Sequence, residues 1–169
     1  MANKKSCDVI LTSVPADAPN FNEYKLKPYF EKIATLIPNN ETESLKVKES
    51  TTKYDSIEGI VYCFVIDGKI LKLGKTDTTM KKRVQSYNCG KQAYRERGTC
   101  SVTNYAVLQS FLAIGSPIEI WGYAVPPAHF TLFGEEVITS TSPSKYTEKT
   151  FQKITQQQFG EKLLLCIQD

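Results

Sequence analysis

Side chains able to hold a phosphate or move a proton crowd one part of the chain: Tyr62, Lys72, Lys75, Arg83 and Tyr87. Tyr62 sits in the apolar run Ile60-Val61-Tyr62-Cys63-Phe64-Val65-Ile66, and Lys72 in the run that follows Asp67-Gly68. Two β-prone runs around an Asp-Gly pair read as a β-hairpin. A two-residue loop would send Lys72 into the face made by Val61, Cys63 and Val65, where a charge is costly. A three-residue loop with Gly68 left-handed at a bulge is therefore expected, with Val65 paired to Lys69. That register makes Val61, Cys63, Val65, Leu71 and Leu73 one apolar face and sets Tyr62 across from Lys72. A cation beside a phenol lowers its reference pKa of about 10 and makes the oxygen a proton acceptor. Lys72, Lys75 and Arg83 would meet phosphate, the lysines as point charges and the arginine through charge-assisted hydrogen bonds.

These residues belong to a basic stretch. From Lys69 to Arg97 there are nine Lys and Arg against Asp77 and Glu96, so the stretch carries +7 and the remainder −4 of the total +3. Such asymmetry points to a polyanion-binding surface, with a solvated face as the plain alternative. Lys81, Lys82, Lys91, Tyr94, Arg95 and Arg97 join Lys75 as candidate contacts to such a polyanion. Five scattered cysteines without a CxxC pair, and the single His129, offer no zinc site of usual spacing. They fit a reducing, cytoplasmic compartment. Neither a signal peptide nor a membrane span is read in the sequence.

The elements that must position this chemistry follow from pattern. With 169 residues, one domain over 1–169 is expected. Residues 1–56 read as an arm followed by a helix over Tyr24 to Ile37, with Tyr29, Phe30, Ile33, Leu36 and Ile37 at helical spacing. Leu45-Lys46-Val47 is a candidate exposed strand. After the hairpin, Asp77-Thr78-Thr79 signals an N-cap for a helix over Met80 to Asn88, which places Arg83 and Tyr87 on one face. A helix over Thr103 to Ile114, a strand over Ile118 to Val125 and a strand or extended segment over Phe130 to Ile138 come next. Ser142-Pro143-Ser144 caps a last helix over Lys145 to Phe159. The fold class is α+β: a small antiparallel three-stranded sheet flanked by helices.

At Ile60-Val61-Tyr62 and Lys72-Leu73-Gly74, the latter continued by Lys75-Thr76, the chain resembles the GIY-YIG nucleases. Their pattern sets two short strand motifs about ten residues apart, then an Arg on the next helix and a Glu on a later one. The Arg maps to Arg83, and Tyr87 stands where the family often has His or Tyr. Two departures stand out: Gly59 lies one place early, and Lys72 replaces the second motif's Tyr. The retained Tyr62 is then the candidate general base for an attacking water. Glu148, in the first turn of the last helix, is the candidate metal ligand, ahead of Glu136 and Glu135.

The resemblance implies a nuclease core over 57–160 with an insertion at 91–116, and an N-terminal extension in place of a separate DNA-binding domain. That organisation is similar to type II restriction endonucleases of this family. It implies hydrolysis of double-stranded DNA with one divalent cation, Mg2+ with Mn2+ able to substitute, and no organic cofactor. One site cuts one strand, so a double-strand cut at a palindrome implies a homodimer. Two other readings stay open: a repair or homing nuclease of the same family, and a non-catalytic DNA-binding module whose site decayed at Lys72.

Overall fold

The computed structural model describes residues 13–90 and 102–160. Its centre is a five-stranded antiparallel sheet, in place of the three strands expected. The strands are β1 (Glu31–Ile37), β2 (Lys46–Ser50), β3 (Ile60–Ile66), β4 (Lys69–Thr76) and β5 (Ile118–Ala124), in the order β2-β1-β5-β3-β4. The α-helices are α1 (Thr52–Ser56), α2 (Met80–Tyr87), α3 (Val102–Ala113) and α4 (Ser144–Phe159). A separate ribbon pairs β6 (His129–Leu132) with β7 (Glu135–Ile138). No helix among the described residues is long and apolar enough to cross a membrane.

The helix expected over Tyr24 to Ile37 is absent. Phe21–Glu23 and Lys27–Tyr29 are single 3-10 turns, and β1 follows. Ile33, Ala34, Thr35 and Leu36 are all buried, because β1 lies inside the sheet and is covered on both faces. A strand buried on both sides shows an unbroken apolar run, which a helical template also fits. The expected insertion likewise supplies core: Leu108, Phe111 and Leu112 of α3 are buried against the sheet. Residues 91–101 lie outside the described part.

The hairpin does not adopt the expected three-residue register; it starts in the two-residue one and shifts at a bulge. Asp67 and Gly68 have φ of 48° and 74°, so the loop is a two-residue turn with both residues left-handed, pairing Ile66 with Lys69. That backbone twist matches the twist of the strands it joins. A bulge then falls between Val65–Ile70 and Phe64–Lys72, leaving Leu71 as the extra residue. Beyond it Tyr62 pairs with Gly74, not with Lys72. The bulge keeps Lys72 off the Val61-Cys63-Val65 face, as the charge demands, and gives that face Ile70 in place of Leu71. Lys72 is buried even so, at 2% exposure, because helices cover both sheet faces.

One layer packs α2 and α3 on Ile60, Tyr62, Phe64 and Leu71. The other packs Phe151 of α4, with Phe21, Tyr24 and Phe30, on Val61, Cys63 and Leu73. Since β4 is an edge strand, helices from the two layers can meet around its end.

Candidate active site

Tyr62 is fully buried, and its ring reaches over Gly74 on the paired strand. A Cβ at Gly74 would lie 2.7 Å from the phenol oxygen and 3.1 Å from Cε of Lys72. The phenol and the lysine stem therefore share the space that Gly74 leaves open. Lys72 Nζ lies 3.5 Å from Oδ1 of Asn104 on α3. Helix α2 brings the other two groups. It starts at Thr79, whose hydroxyl accepts from the Lys82 amide, and it buries Met80, Val84 and Tyr87. Arg83 Nε donates to Tyr62 Oη at 3.2 Å, Tyr87 Oη and Tyr62 Oη share a hydrogen bond of 2.5 Å, and the Arg83 guanidinium lies 4.9 Å over the Tyr87 ring.

Burial pushes the Tyr62 phenol well above its ordinary pKa, and Tyr87 adds to the rise while Arg83 opposes it. This overturns the expectation of a phenol held below its ordinary value. Desolvation of the anion outweighs the neighbouring guanidinium, so Tyr62 is protonated in the free protein.

Glu148 is buried at 7% exposure, one turn into α4. Burial raises its pKa, which Lys72, Lys75 and Arg83 pull down and Asp77 pushes up. Those partners place its carboxylate in the field of the same cluster, within one chain. Among the described residues, none forms a hydrogen bond or ion pair with it. Glu135 and Glu136 stand on the exposed ribbon, where Glu136 pairs with His129 at 3.2 Å. A lone carboxylate with free oxygens, partly desolvated, fits a hard cation that keeps most of its waters.

The remaining candidates divide. Lys75 is half-buried and ion-paired with Asp77, Lys81 lies 3.3 Å from Asp55, and Lys82 lies 3.9 Å from Glu58. These exposed pairs are weak and leave both α2 lysines able to reach solvent or phosphate. Lys91, Tyr94, Arg95 and Arg97 lie outside the described residues. Gly74 and Asn104 border the cluster and were not among the expected site residues. Spacing within the second motif could have singled out Gly74; nothing local marks Asn104.

No protein-family model and no curated protein sequence matches the chain. Among solved structures, it is similar to a restriction endonuclease, Hpy188I, in complex with product DNA: 40% identity, covering 100% of this chain and 98% of that one, TM-score 0.66. This chain belongs to the GIY-YIG nucleases. It is a restriction endonuclease homologue over its whole length. A mutant of bacteriophage T4 EndoII is similar in fold, with 20% identity over 80% of this chain and 94% of that one, TM-score 0.59.

Proposed function

We propose that this chain is a type II restriction endonuclease that hydrolyses both strands of a specific DNA site. The observation that carries this reading is the cluster of Tyr62, Arg83 and Tyr87 beside the buried carboxylate of Glu148, in a full-length homologue of a restriction endonuclease. Tyr62 takes the proton of the attacking water. Once ionised, its oxygen accepts from Arg83 Nε and from the Tyr87 hydroxyl, both already in place. Arg83 also offers its terminal N–H groups to the phosphate. Lys72 adds a fixed positive charge next to Tyr62 and Glu148, in surroundings where its field is poorly screened. Glu148 would hold the divalent cation, Mg2+ or Mn2+, which when bound stabilises charge on the departing 3′ oxygen. Lys75, Lys81 and Lys82, with Lys91, Arg95 and Arg97, contact phosphates, and Tyr94, between Lys91 and Arg95 in sequence, joins them as a DNA contact.

Cutting both strands calls for two copies. The β6–β7 ribbon offers a surface for the pairing of this chain with itself. Phe130, Val137 and Leu132 share one side of it, and Phe133 stands fully exposed at its tip. Its acids, Glu135 and Glu136, disfavour phosphate, whereas an apolar strip suits a two-fold contact with its own copy.

Incubation of unmodified plasmid with the protein and Mg2+, followed by mapping of the fragment ends, tests the reading. Discrete fragments with one common end sequence are expected. Persistent DNA binding without cutting under Mg2+ or Mn2+ would favour a DNA-binding module instead.

A further inference from the structure

Of the two capping signals read from the sequence, one caps and the other does not. Within Asp77-Thr78-Thr79 it is Thr79 that caps α2, which leaves the Asp77 carboxylate outside the cap. Ser142-Pro143-Ser144 was expected to cap α4, but Pro143 is the cap residue and no side chain closes the helix end. The two polar groups released from capping meet instead. Ser144 Oγ donates to Asp77 Oδ1 at 2.5 Å, although 67 positions separate the residues. Ser144 is fully buried, and the other carboxylate oxygen of Asp77 pairs with Lys75. These two contacts hold the Asp77 carboxyl below its ordinary value.

The tie joins the two halves of the site. Asp77 lies on the turn between β4, which carries Lys72 and Gly74, and α2, which carries Arg83 and Tyr87. Ser144 and Glu148 are four residues apart on α4, so they share one helix face. Beside the tie, Ser142 packs against the start of β3. Gly59, left-handed at φ +73°, has no Cβ there, and one would come within 2.2 Å of Ser142 Oγ. The displaced glycine of the first motif thus has a physical role: it admits the loop that leads into α4.

We propose that the Asp77–Ser144 hydrogen bond, seated by Gly59 against Ser142, is a clamp that positions Glu148 over the Tyr62–Arg83 cluster and so sets the affinity of the site for its divalent cation. Asp77 and Ser144 are positioning residues in this account. The inference rests on Glu148 being the metal ligand. Removing a group that orients a ligand weakens metal binding by about tenfold or more.

The test uses Ser144→Ala, Asp77→Ala, Asp77→Asn and Glu148→Ala in the full chain. Mn2+ is titrated into each protein bound to the cut duplex that the wild type produces, and free Mn2+ is read by electron paramagnetic resonance. In parallel, single-turnover cleavage is followed against Mg2+ concentration. Ser144→Ala is expected to weaken Mn2+ binding and to raise half-saturating Mg2+ by about tenfold, while metal-free DNA affinity is unchanged and saturating Mg2+ restores most of the rate. Asp77→Asn keeps an oxygen for Ser144 and should shift less than Asp77→Ala. Wild-type Mn2+ affinity in Ser144→Ala overturns the clamp, as does a loss of DNA binding and melting temperature in step with activity at every Mg2+ level. If Ser144→Ala does not fold, Asp77→Ala, altered at an exposed side chain, carries the same two outcomes. Glu148→Ala separates the two ideas. Unchanged Mn2+ binding there removes the ligand assignment and the clamp together; lost binding there with none lost in Ser144→Ala removes the clamp alone.

Discussion

Replacing Gly74 with alanine puts a methyl group where the Tyr62 phenol now rests. The new Cβ would stand 2.7 Å from Tyr62 Oη and 2.8 Å from Cζ, whereas ordinary contact begins at 3.4 Å. The ring must withdraw by roughly 0.7 Å, and it is fully buried with little room to do so. Withdrawal changes the 2.5 Å bond to Tyr87 and the 3.2 Å contact with Arg83 together. Overpacking of this kind costs about 1–3 kcal/mol of stability, and a misplacement near 1 Å at reacting groups costs about 100-fold in rate. Gly74→Ala should therefore fold, with a lowered melting temperature, bind DNA without metal as before, and cleave about 100-fold more slowly in single turnover. A folded Gly74→Ala protein that cuts within about threefold of wild type would refute the idea that Tyr62 works from this position.

The raised pKa of Tyr62 gives a pH signature. If the phenolate is the working form, its fraction below that pKa grows about tenfold per pH unit, so log rate should climb with a slope near one through neutral and mildly alkaline pH. A flat profile with chemistry rate-limiting would exclude Tyr62 as the base. Glu148→Ala should abolish cleavage while leaving metal-free DNA binding intact, and Glu136→Ala, altered on the exposed ribbon, should stay active; the reverse result would move the metal to Glu136. Leu132→Asp with Phe133→Asp should shift sedimentation from dimer to monomer and turn double-strand cuts into slow nicks. An unchanged dimer would take the ribbon out of the interface.

Local rules were enough wherever the signal was local. The Asp67-Gly68 turn, the α2 face that joins Arg83 to Tyr87, and Glu148 in the first turn of α4 were all legible from spacing. Features set by packing partners were not. β1 passed for a helix because burial on both faces erased the alternation that marks a strand. The hairpin register hung on a bulge at Leu71; asking where a charge could go put the bulge at Gly68 instead. That question correctly kept Lys72 off one apolar face, but it could not show that the other face is covered too. The field at Tyr62 was misjudged for the same reason: a cation nearby was readable, full burial was not. The Asp77–Ser144 hydrogen bond joins residues 67 positions apart, beyond any local pattern.

The central claim is that the Tyr62 oxygen receives the proton of the water that attacks DNA. Tyr62→Phe removes that oxygen and keeps the ring. Single-turnover cleavage at saturating Mg2+, with metal-free DNA affinity measured on the same preparation, tests it most directly. The account predicts wild-type affinity and a rate lower by at least about 100-fold across the pH range. Cleavage at a wild-type rate by this variant would contradict it.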